Sequence, residues 1–127
     1  SRAWVQQAIE KAVRGHGFRA LGWRDVPVTV VDPETGVRCV GRIADEKRPH
    51  IAQFFVAPER EMTDEEIERK LFVARREAEN VVAAEGGDKA YHTYFCSFSA
   101  RTIVYKGMLV SSQIDGFFPD LRDPACE

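Results

Sequence analysis

The sequence has few of the residues and patterns that identify a particular chemistry or compartment. Its three cysteines, Cys39, Cys96 and Cys126, are odd in number and far apart, so neither a disulfide framework nor a Cys-x-x-Cys metal or redox motif is predicted. We interpret them as reduced thiols, which favours a cytoplasmic protein. No apolar run approaches the roughly 20 residues of a membrane-spanning helix, and no signal peptide is recognised before Trp4.

The charge distribution lacks a basic cluster. The 18 Lys and Arg are balanced by 20 Asp and Glu, for a formal net charge of −2. Because nucleic-acid binding depends on neutralising several phosphates together, no nucleic-acid partner is predicted. With 44% hydrophobic and 30% charged residues, the composition is typical of a globular protein, and we predict a single domain over residues 1–127.

What is present is an alternation of helical and strand periodicities. It predicts an α/β chain (α+β in layout) in the order helix, strand, strand, helix, strand, strand, with a mostly antiparallel sheet. The first helix begins near Trp4 and stops at Gly15 and Gly17. The predicted strands cover residues 18–26 (continuing as an edge strand at 28–31), 50–57, 91–98 and 102–105. Residues 50–57 are apolar on both faces, so we expect a central strand covered on both sides.

The second long helix has the clearest local signals. Thr63 and Glu66 form a capping-box pattern at its start. Its predicted buried stripe consists of Ile67, Leu71, Ala74, Ala78 and Val81, before the stop at Gly86. Residues 32–36 read as a turn, residues 37–48 as a loop with at most a short strand around Val40, and Ser111 as the cap of a short helix.

Histidine and cysteine spacing argues against nucleophilic or metal chemistry. On the predicted strand, His92 and Cys96 lie on the same face, separated by roughly 13 Å. This separation is too large for a nucleophile–base pair, so we interpret both as packed strand residues and not as a catalytic dyad. His16, His50 and His92 have no ligand spacing to one another or to a cysteine, and no zinc site is predicted. Gly15-x-Gly17 ends a helix instead of opening one, so phosphate binding is not favoured either.

Charged residues have structural explanations that we prefer over functional ones. The carboxylates of residues 64–66 complement a helix N-terminus, and Arg75 and Arg76 read as solvated. Arg101 and Lys106 can bind an acidic ligand or protect a sheet edge, and we favour the edge. Ser1 has the terminal amine that a nucleophile needs but no recognisable oxyanion donors, so a fragment end is the preferred reading. No catalytic, cofactor-binding or metal-binding residue is therefore predicted.

Four segments occur in an order that is typical of a known family. They are GWRDVP at residues 22–27, RKLFVARR at 69–76, CSFSARTIVYKGML at 96–109 and FFPDLRDP at 117–124. Together they resemble the middle of the class-II glutamine amidotransferase domain at the start of the glutamate synthase large subunit. The resemblance spans nearly the whole chain, and the run at residues 101–109 is specific to that family.

The resemblance implies an N-terminal-nucleophile hydrolase fold, a four-layer αββα sandwich of which this chain is an internal part. The family hydrolyses glutamine and passes ammonia to a synthase site that makes glutamate from 2-oxoglutarate. FMN and an iron–sulfur cluster are implied for other domains of the full enzyme, and no cofactor for this chain. The family's N-terminal Cys nucleophile lies upstream of residue 1. Its His-x-Arg-Phe-Ser-Thr, Asn-Gly and Asp positions follow residue 127, so no catalytic residue is carried over.

Two functional hypotheses follow. The first is a scaffold segment of a glutamine amidotransferase domain, inactive by itself, whose partners are the remaining amidotransferase and synthase domains. The second is a free-standing α/β binding or subunit-interaction module derived from that domain. In either case, sheet edges that lack a partner are expected to favour self-association.

Overall fold

The computed structural model describes residues 2–87 and 93–125. Its helices and strands are α1 (Arg2–Gly15), β1 (Phe18–Asp25), α2 (Arg42–Glu46), β2 (Ala52–Pro58), α3 (Asp64–Glu85) and α4 (Ile114–Phe117), with 3-10 turns at Ser111–Gln113 and Pro119–Arg122. The chain divides into two compact units. Unit 1 comprises Ser1–Gly22 and Phe54–Val104, and unit 2 comprises Trp23–Gln53 and Tyr105–Glu127. The mixture of helix and strand that the sequence predicts is confirmed.

The strands β1 and β2 pair in a two-stranded sheet. Backbone bonds mark its two ends: Val26 N donates to Ile51 O at 3.0 Å, and Glu59 N donates to Gly17 O at 2.9 Å. Because residue numbers rise along one strand as they fall along the other, the pairing is antiparallel. Gly17 has a φ of 85°, which suits the left-handed stop predicted after the first helix.

The core of unit 1 is a helix pair on one face of the sheet. α1 packs against α3, and Val13, Phe18, Leu71 and Ala74 are buried together. Val82 completes the α3 stripe at 8% exposure, whereas the predicted Val81 is 36% exposed. That one prediction is wrong by a residue because the 3.6-residue period advances from Ala78 to Val82.

The opposite face of the sheet is not covered by described residues of unit 1. Phe54 and Val56 pack against the unit 1 core, while Phe55 between them is 48% exposed and Leu21 on β1 is 59% exposed. The prediction of a central strand covered on both sides is therefore wrong for this chain. Apolar residues on both faces indicate that a strand can be buried on both sides, but this pattern does not indicate which segments pack against each face.

Unit 2 has its own core, formed by Val26, Cys39, Val40, Phe117 and Phe118. The aromatic rings of Phe117 and Phe118 meet edge to face at 4.8 Å between centroids. The short helix predicted after Ser111 is confirmed as α4, but the prediction that Ser111 caps it is wrong. Ser111 is the first residue of the preceding 3-10 turn, and the cap positions of that turn and of α4 are held by Val110 and Gln113.

Two predictions in unit 2 are wrong. The expected edge strand at residues 28–31 is reduced to an isolated bridge between Val31 and Arg38, and residues 37–48 contain helix α2 in place of a loop with a strand. Helix α2 has only five residues and no capping side chain, so its sequence shows too little helical periodicity to predict it. The turn at residues 32–36 is confirmed, because Asp32 Oδ1 accepts from Glu34 N at 2.8 Å.

The strand pair predicted at residues 91–98 and 102–105 is also wrong where it can be checked. Residues 91 and 92 lie outside the described ranges, and residues 93–98 and 102–105 form no strand. Serine hydroxyls organise this stretch instead. Ser97 Oγ accepts from Val104 N at 3.1 Å, and Ser99 Oγ accepts from Arg101 N at 2.9 Å. Such local bonds compete with sheet pairing, and alternation alone does not reveal them.

The ends of α3 agree with the sequence in all but one detail. Thr63 Oγ1 accepts from Glu66 N at 3.2 Å, and Gly86 is the C-cap. The Glu66 carboxylate binds Arg60 instead of returning to the cap backbone. That ion pair lowers the pKa of Glu66, with the Arg60 hydrogen bond as the main cause.

Candidate functional site

The most connected polar cluster among the described residues lies in unit 2. We call it the Arg24 network, and it consists of Arg24, Gln53, Tyr105 and Asp120. Arg24 stands near the end of β1 and Gln53 near the start of β2. Asp120 belongs to the 3-10 turn Pro119–Arg122, whose first residue is a proline with the φ that such a turn requires. The fold thus brings together residues up to 96 positions apart.

The four side chains form a closed ring of hydrogen bonds. Arg24 donates to both oxygens of Asp120, at 2.7 and 2.9 Å, in the bidentate geometry that suits a guanidinium and a carboxylate. Tyr105 Oη donates to Asp120 Oδ2 at 2.7 Å. Gln53 closes the ring by accepting from Arg24 at 2.8 Å and donating to Tyr105 Oη at 3.1 Å.

The ring holds Asp120 in its ionised form. Hydrogen bonds from Arg24 and then from Tyr105 lower the pKa of the Asp120 carboxyl below its usual value. Burial raises the pKa of the Tyr105 phenol, and the bond to Asp120 raises it further. The Asp120 side chain is 16% exposed, against 41% for Arg24, so the carboxylate is better shielded from water than the guanidinium that binds it.

This geometry makes the Arg24 network a tie between segments. Asp120 accepts three hydrogen bonds from protein donors, and its lowered pKa makes the carboxylate a weak base, so it is poorly suited to take a proton from a substrate. What the ring does is hold together the ends of β1 and β2, the segment that starts at Tyr105 and the turn at Asp120. Three of these four places lie within the segments at residues 22–27, 101–109 and 117–124 that carry the family resemblance.

None of the described residues that the sequence analysis considered for chemistry belongs to this network. Ser1, His92 and Cys126 are outside the described ranges. Cys96 is exposed and lies in no strand, so its interpretation as a packed strand residue is wrong. Cys39 is buried in the unit 2 core.

The other two histidines each contact one carboxylate and not each other. In unit 1, His16 Nε2 lies 2.9 Å from Glu77. In unit 2, His50 Nε2 lies 2.7 Å from Asp25. Each pair joins two neighbouring elements, which is a structural role.

The arginines of α3 differ from each other. Arg75, predicted to be solvated, is half-buried and donates to Glu79 and to the Phe95 carbonyl, both at 3.0 Å. That prediction is wrong because the segment around Phe95 returns over this face of α3. Arg76 is exposed and pairs with Glu79 at 2.9 Å. Arg101 lies 3.7 Å from Glu65, also exposed.

A second cluster that the sequence did not indicate anchors residues 99–102 to α3. The Glu68 carboxylate accepts from Ser99 Oγ at 2.8 Å and from Ala100 N at 2.7 Å. Neither this cluster nor the Arg24 network has a spacing that sequence reasoning can use, since the side chains that bond to each other across segments are 15 to 96 residues apart. The one available signal was that all of their members except Gln53 fall in or beside the family segments.

The described residues of unit 1 also border a cavity of about 360 Å³, lined by Glu79, Val82, Ala83, Gly87 and residues 93–95. Its charged lining residue, Glu79, is already paired with Arg75 and Arg76. Across residues 2–87 and 93–125, no three His, Cys, Asp or Glu side chains are grouped as metal ligands. Over the same ranges, no helix has the length and apolarity to span a membrane.

Comparison with known proteins gives a consistent result. The family model for class-II glutamine amidotransferases matches residues 1–127. The chain is 38% identical over 125 residues to the large chain of the NADPH glutamate synthase of Bacillus subtilis, covering 98% of this chain and 8% of that protein. It is 40% identical over 123 residues to ferredoxin-dependent glutamate synthase 1 of Arabidopsis thaliana, covering 97% and 7%.

A third relative, the large chain of the NADPH glutamate synthase of Azospirillum brasilense, is 35% identical over 119 residues, covering 94% of this chain and 7% of the relative. The chain thus spans less than a tenth of the length of each of these relatives, while nearly all of it is matched. A family model that matches every residue, together with these identities, confirms the resemblance seen in the four segments. The chain belongs to the class-II glutamine amidotransferase family.

Proposed function

We propose that this chain is a scaffold segment of the ammonia-generating part of a glutamate synthase and contains none of its catalytic residues. The observation that carries the proposal is the Arg24 network, which uses residues of three family segments to fix the backbone and offers no group for chemistry. Glutamine hydrolysis requires a nucleophile, a base and an oxyanion hole placed together. The described residues supply no such constellation, and the family resemblance assigns it to positions before residue 1 and after residue 127.

We also propose that unit 1 is one half of an αββα sandwich. α1 and α3 lie on one face of the β1–β2 sheet, and Leu21 and Phe55 expose apolar area on the other. Burying that area under a second sheet would gain about 25 cal/mol per Å² of apolar surface removed from water. The exposed face therefore supports a second layer built by other parts of the domain.

The partners in this proposal are the remaining amidotransferase and synthase domains, and the location is cytoplasmic. FMN and an iron–sulfur cluster belong to those other domains. Cys39 and Cys96, the two cysteines among the described residues, are unbonded. One is buried in the core of unit 2 and the other is exposed in unit 1.

An ammonia-release assay tests the scaffold function. Purified residues 1–127 and the longer polypeptide that contains them are each incubated with glutamine. We expect ammonia from the longer polypeptide only. Release by residues 1–127 that disappears on Ser1→Ala would overturn the proposal. If the longer polypeptide is inactive while residues 1–127 show a glutamine-dependent thermal shift, the free-standing binding module is the better description.

A further inference from the structure

A segment of unit 1 lies along α3 without joining a sheet. We call residues 93–104 the strap. Within the part of the chain that the structure describes, no backbone–backbone hydrogen bond joins the strap to another residue, and none of its residues is fully buried. Since backbone–backbone bonds make up about two-thirds of the hydrogen bonds in folded proteins, the strap is held in an unusual way.

Side chains of α3 hold the strap at two anchors. At the first anchor, Arg75 donates to the Phe95 carbonyl at 3.0 Å, and the guanidinium carbon lies 6.0 Å from the centroid of the Phe95 ring. At the second anchor, the Glu68 carboxylate accepts from Ser99 Oγ at 2.8 Å and from Ala100 N at 2.7 Å. Arg75 and Glu68 are seven residues apart, which is close to two turns of helix. Both anchors therefore lie on the same face of α3.

Bonds within the strap depend on the second anchor. Ser99 Oγ, which donates to that anchor, accepts from Arg101 N at 2.9 Å and from Thr102 N at 3.3 Å. A serine hydroxyl has one donor and two acceptor sites, so Ser99 uses all of them. Ser97 Oγ accepts from Val104 N at 3.1 Å. Loss of the second anchor removes the bond that fixes the Ser99 hydroxyl, and so loosens the turn around it.

The strap also covers part of the unit 1 core. Phe98 is half-buried and packs against the core residues Leu71 and Ala74 of α3, and its ring centroid lies 5.9 Å from that of Phe95. The helix beneath has hydrogen bonds of its own along 22 residues and packs against α1. Because these contacts do not involve the strap, α3 keeps them when the strap leaves.

We propose that the strap is a releasable cover of the unit 1 core, which detaches from α3 at both anchors together while α3 stays folded. Segments with few buried contacts and little backbone pairing open at a lower free energy than the helices beside them. The two anchors open together because no backbone pairing holds the residues between them once one anchor is lost. The inference goes beyond the proposed function and does not depend on it, since it concerns the opening of this chain and not the release of ammonia.

Hydrogen exchange measured residue by residue by NMR on residues 1–127 tests the proposal. The reporters are the amides of residues 100, 101, 102 and 104, which donate to side chains, and those of Leu71 and Ala74 on the buried face of α3. In the unsubstituted chain we expect the strap amides to be about tenfold or more less protected than the α3 amides.

The substitution Arg75→Gln removes the first anchor, whereas the strap reporters lie at or beyond the second. If the anchors open together, Arg75→Gln lowers the protection of all four strap amides by about fivefold or more and leaves the α3 amides unchanged. Arg76→Gln is the matched control, because Arg76 is the next residue and binds the same Glu79 carboxylate, not the strap. We expect the control to change neither set of amides.

A second variant serves if Arg75→Gln does not fold. Glu68→Gln weakens the second anchor, and the reporter is then Val104 N, which bonds to Ser97 and not to Glu68; its protection should fall while that of α3 is kept. Equal protection of strap and α3 in the unsubstituted chain would overturn the proposal. So would a folded anchor variant that leaves its strap reporters unchanged, or that lowers strap and α3 protection equally.

Discussion

Replacing Asp120 by Asn removes the charge on which the Arg24 network depends. The carboxylate accepts two hydrogen bonds from Arg24 and one from Tyr105, and its side chain is 16% exposed. The amide of Asn has one acceptor oxygen, so its NH₂ group would face a donor of Arg24 or Tyr105. We expect Asp120→Asn to destabilise the fold more than an ordinary surface substitution does.

The magnitude follows from the contacts. A hydrogen bond to a charged group typically contributes about 1.5–3 kcal/mol, but Arg24 is 41% exposed and solvent screens its pairing, so we assign about 1 kcal/mol to that ion pair. The shielded bond from Tyr105 contributes about 1 kcal/mol more. The expected loss is about 2 kcal/mol of the free energy of unfolding, which lowers Tm by roughly 8 °C for a chain of this size.

The pH dependence has a definite sign. The pKa of Asp120 is lower in the folded protein than in the unfolded chain, so its stabilising contribution is present above about pH 4. That contribution is lost as the pH falls through the folded-state pKa. Asp120→Asn should therefore destabilise strongly at pH 7 and progressively less as the pH falls below about 4.

Thermal unfolding followed by circular dichroism measures both effects. Asp123→Asn is the matched control, because Asp123 is exposed and accepts one local hydrogen bond, from Ala125 N. We expect the control to change stability by less than about 0.5 kcal/mol. In a double-mutant cycle, Asp120→Asn and Tyr105→Phe should couple by about 1 kcal/mol. A loss below about 0.5 kcal/mol for Asp120→Asn at pH 7 would refute the ring as a stabilising tie.

Three further substitutions test other parts of the structure by the same unfolding assay. Leu71→Ala should lower the free energy of unfolding by about 2–5 kcal/mol, because Leu71 is 3% exposed and its truncation leaves a cavity. Phe72→Ala should cost much less despite the larger side chain, because Phe72 is 62% exposed. Equal costs would contradict the packing of α3. Thr63→Ala should cost about 1 kcal/mol through loss of the helix cap, and Thr63→Ser should retain most of it. Ser99→Ala should cost about 1–2 kcal/mol because it breaks the bonds to Glu68, and the exposed Ser112→Ala is its control.

Short sequence patterns correctly predicted the helices and strands whose hydrogen bonds and buried contacts involve residues close together along the chain. The helix α3 is predicted correctly from the Thr63 cap to the Gly86 stop, and its buried stripe is off by one position. β1 and the helix at residues 114–117 follow from short-range periodicity and turn residues in the same way. Signals of this kind are sufficient when the partners of a residue lie within one or two turns of chain.

The stretch at residues 93–105 shows where such signals fail. Its alternation predicts two strands, yet the structure has loops held by Ser97, Ser99 and Glu68. A strand exists only if another strand pairs with it, and pairing is decided by the rest of the fold. The same reason explains Phe55, whose apolar side chain predicts a buried face but is 48% exposed among the residues that the structure describes.

Four ordered segments of the sequence identified the family, and capping residues with 3.6-residue periods identified the two long helices, α1 and α3. Only the tertiary structure showed what three of those segments do together. Arg24, Tyr105 and Asp120 have no common spacing, and they meet because the chain at or beside each of them, at Val26, Tyr105 and Phe118, packs in one unit 2 core. Hydrogen bonds between residues nearly a hundred positions apart are set by the path of the backbone, and a pattern read along the chain does not contain that path.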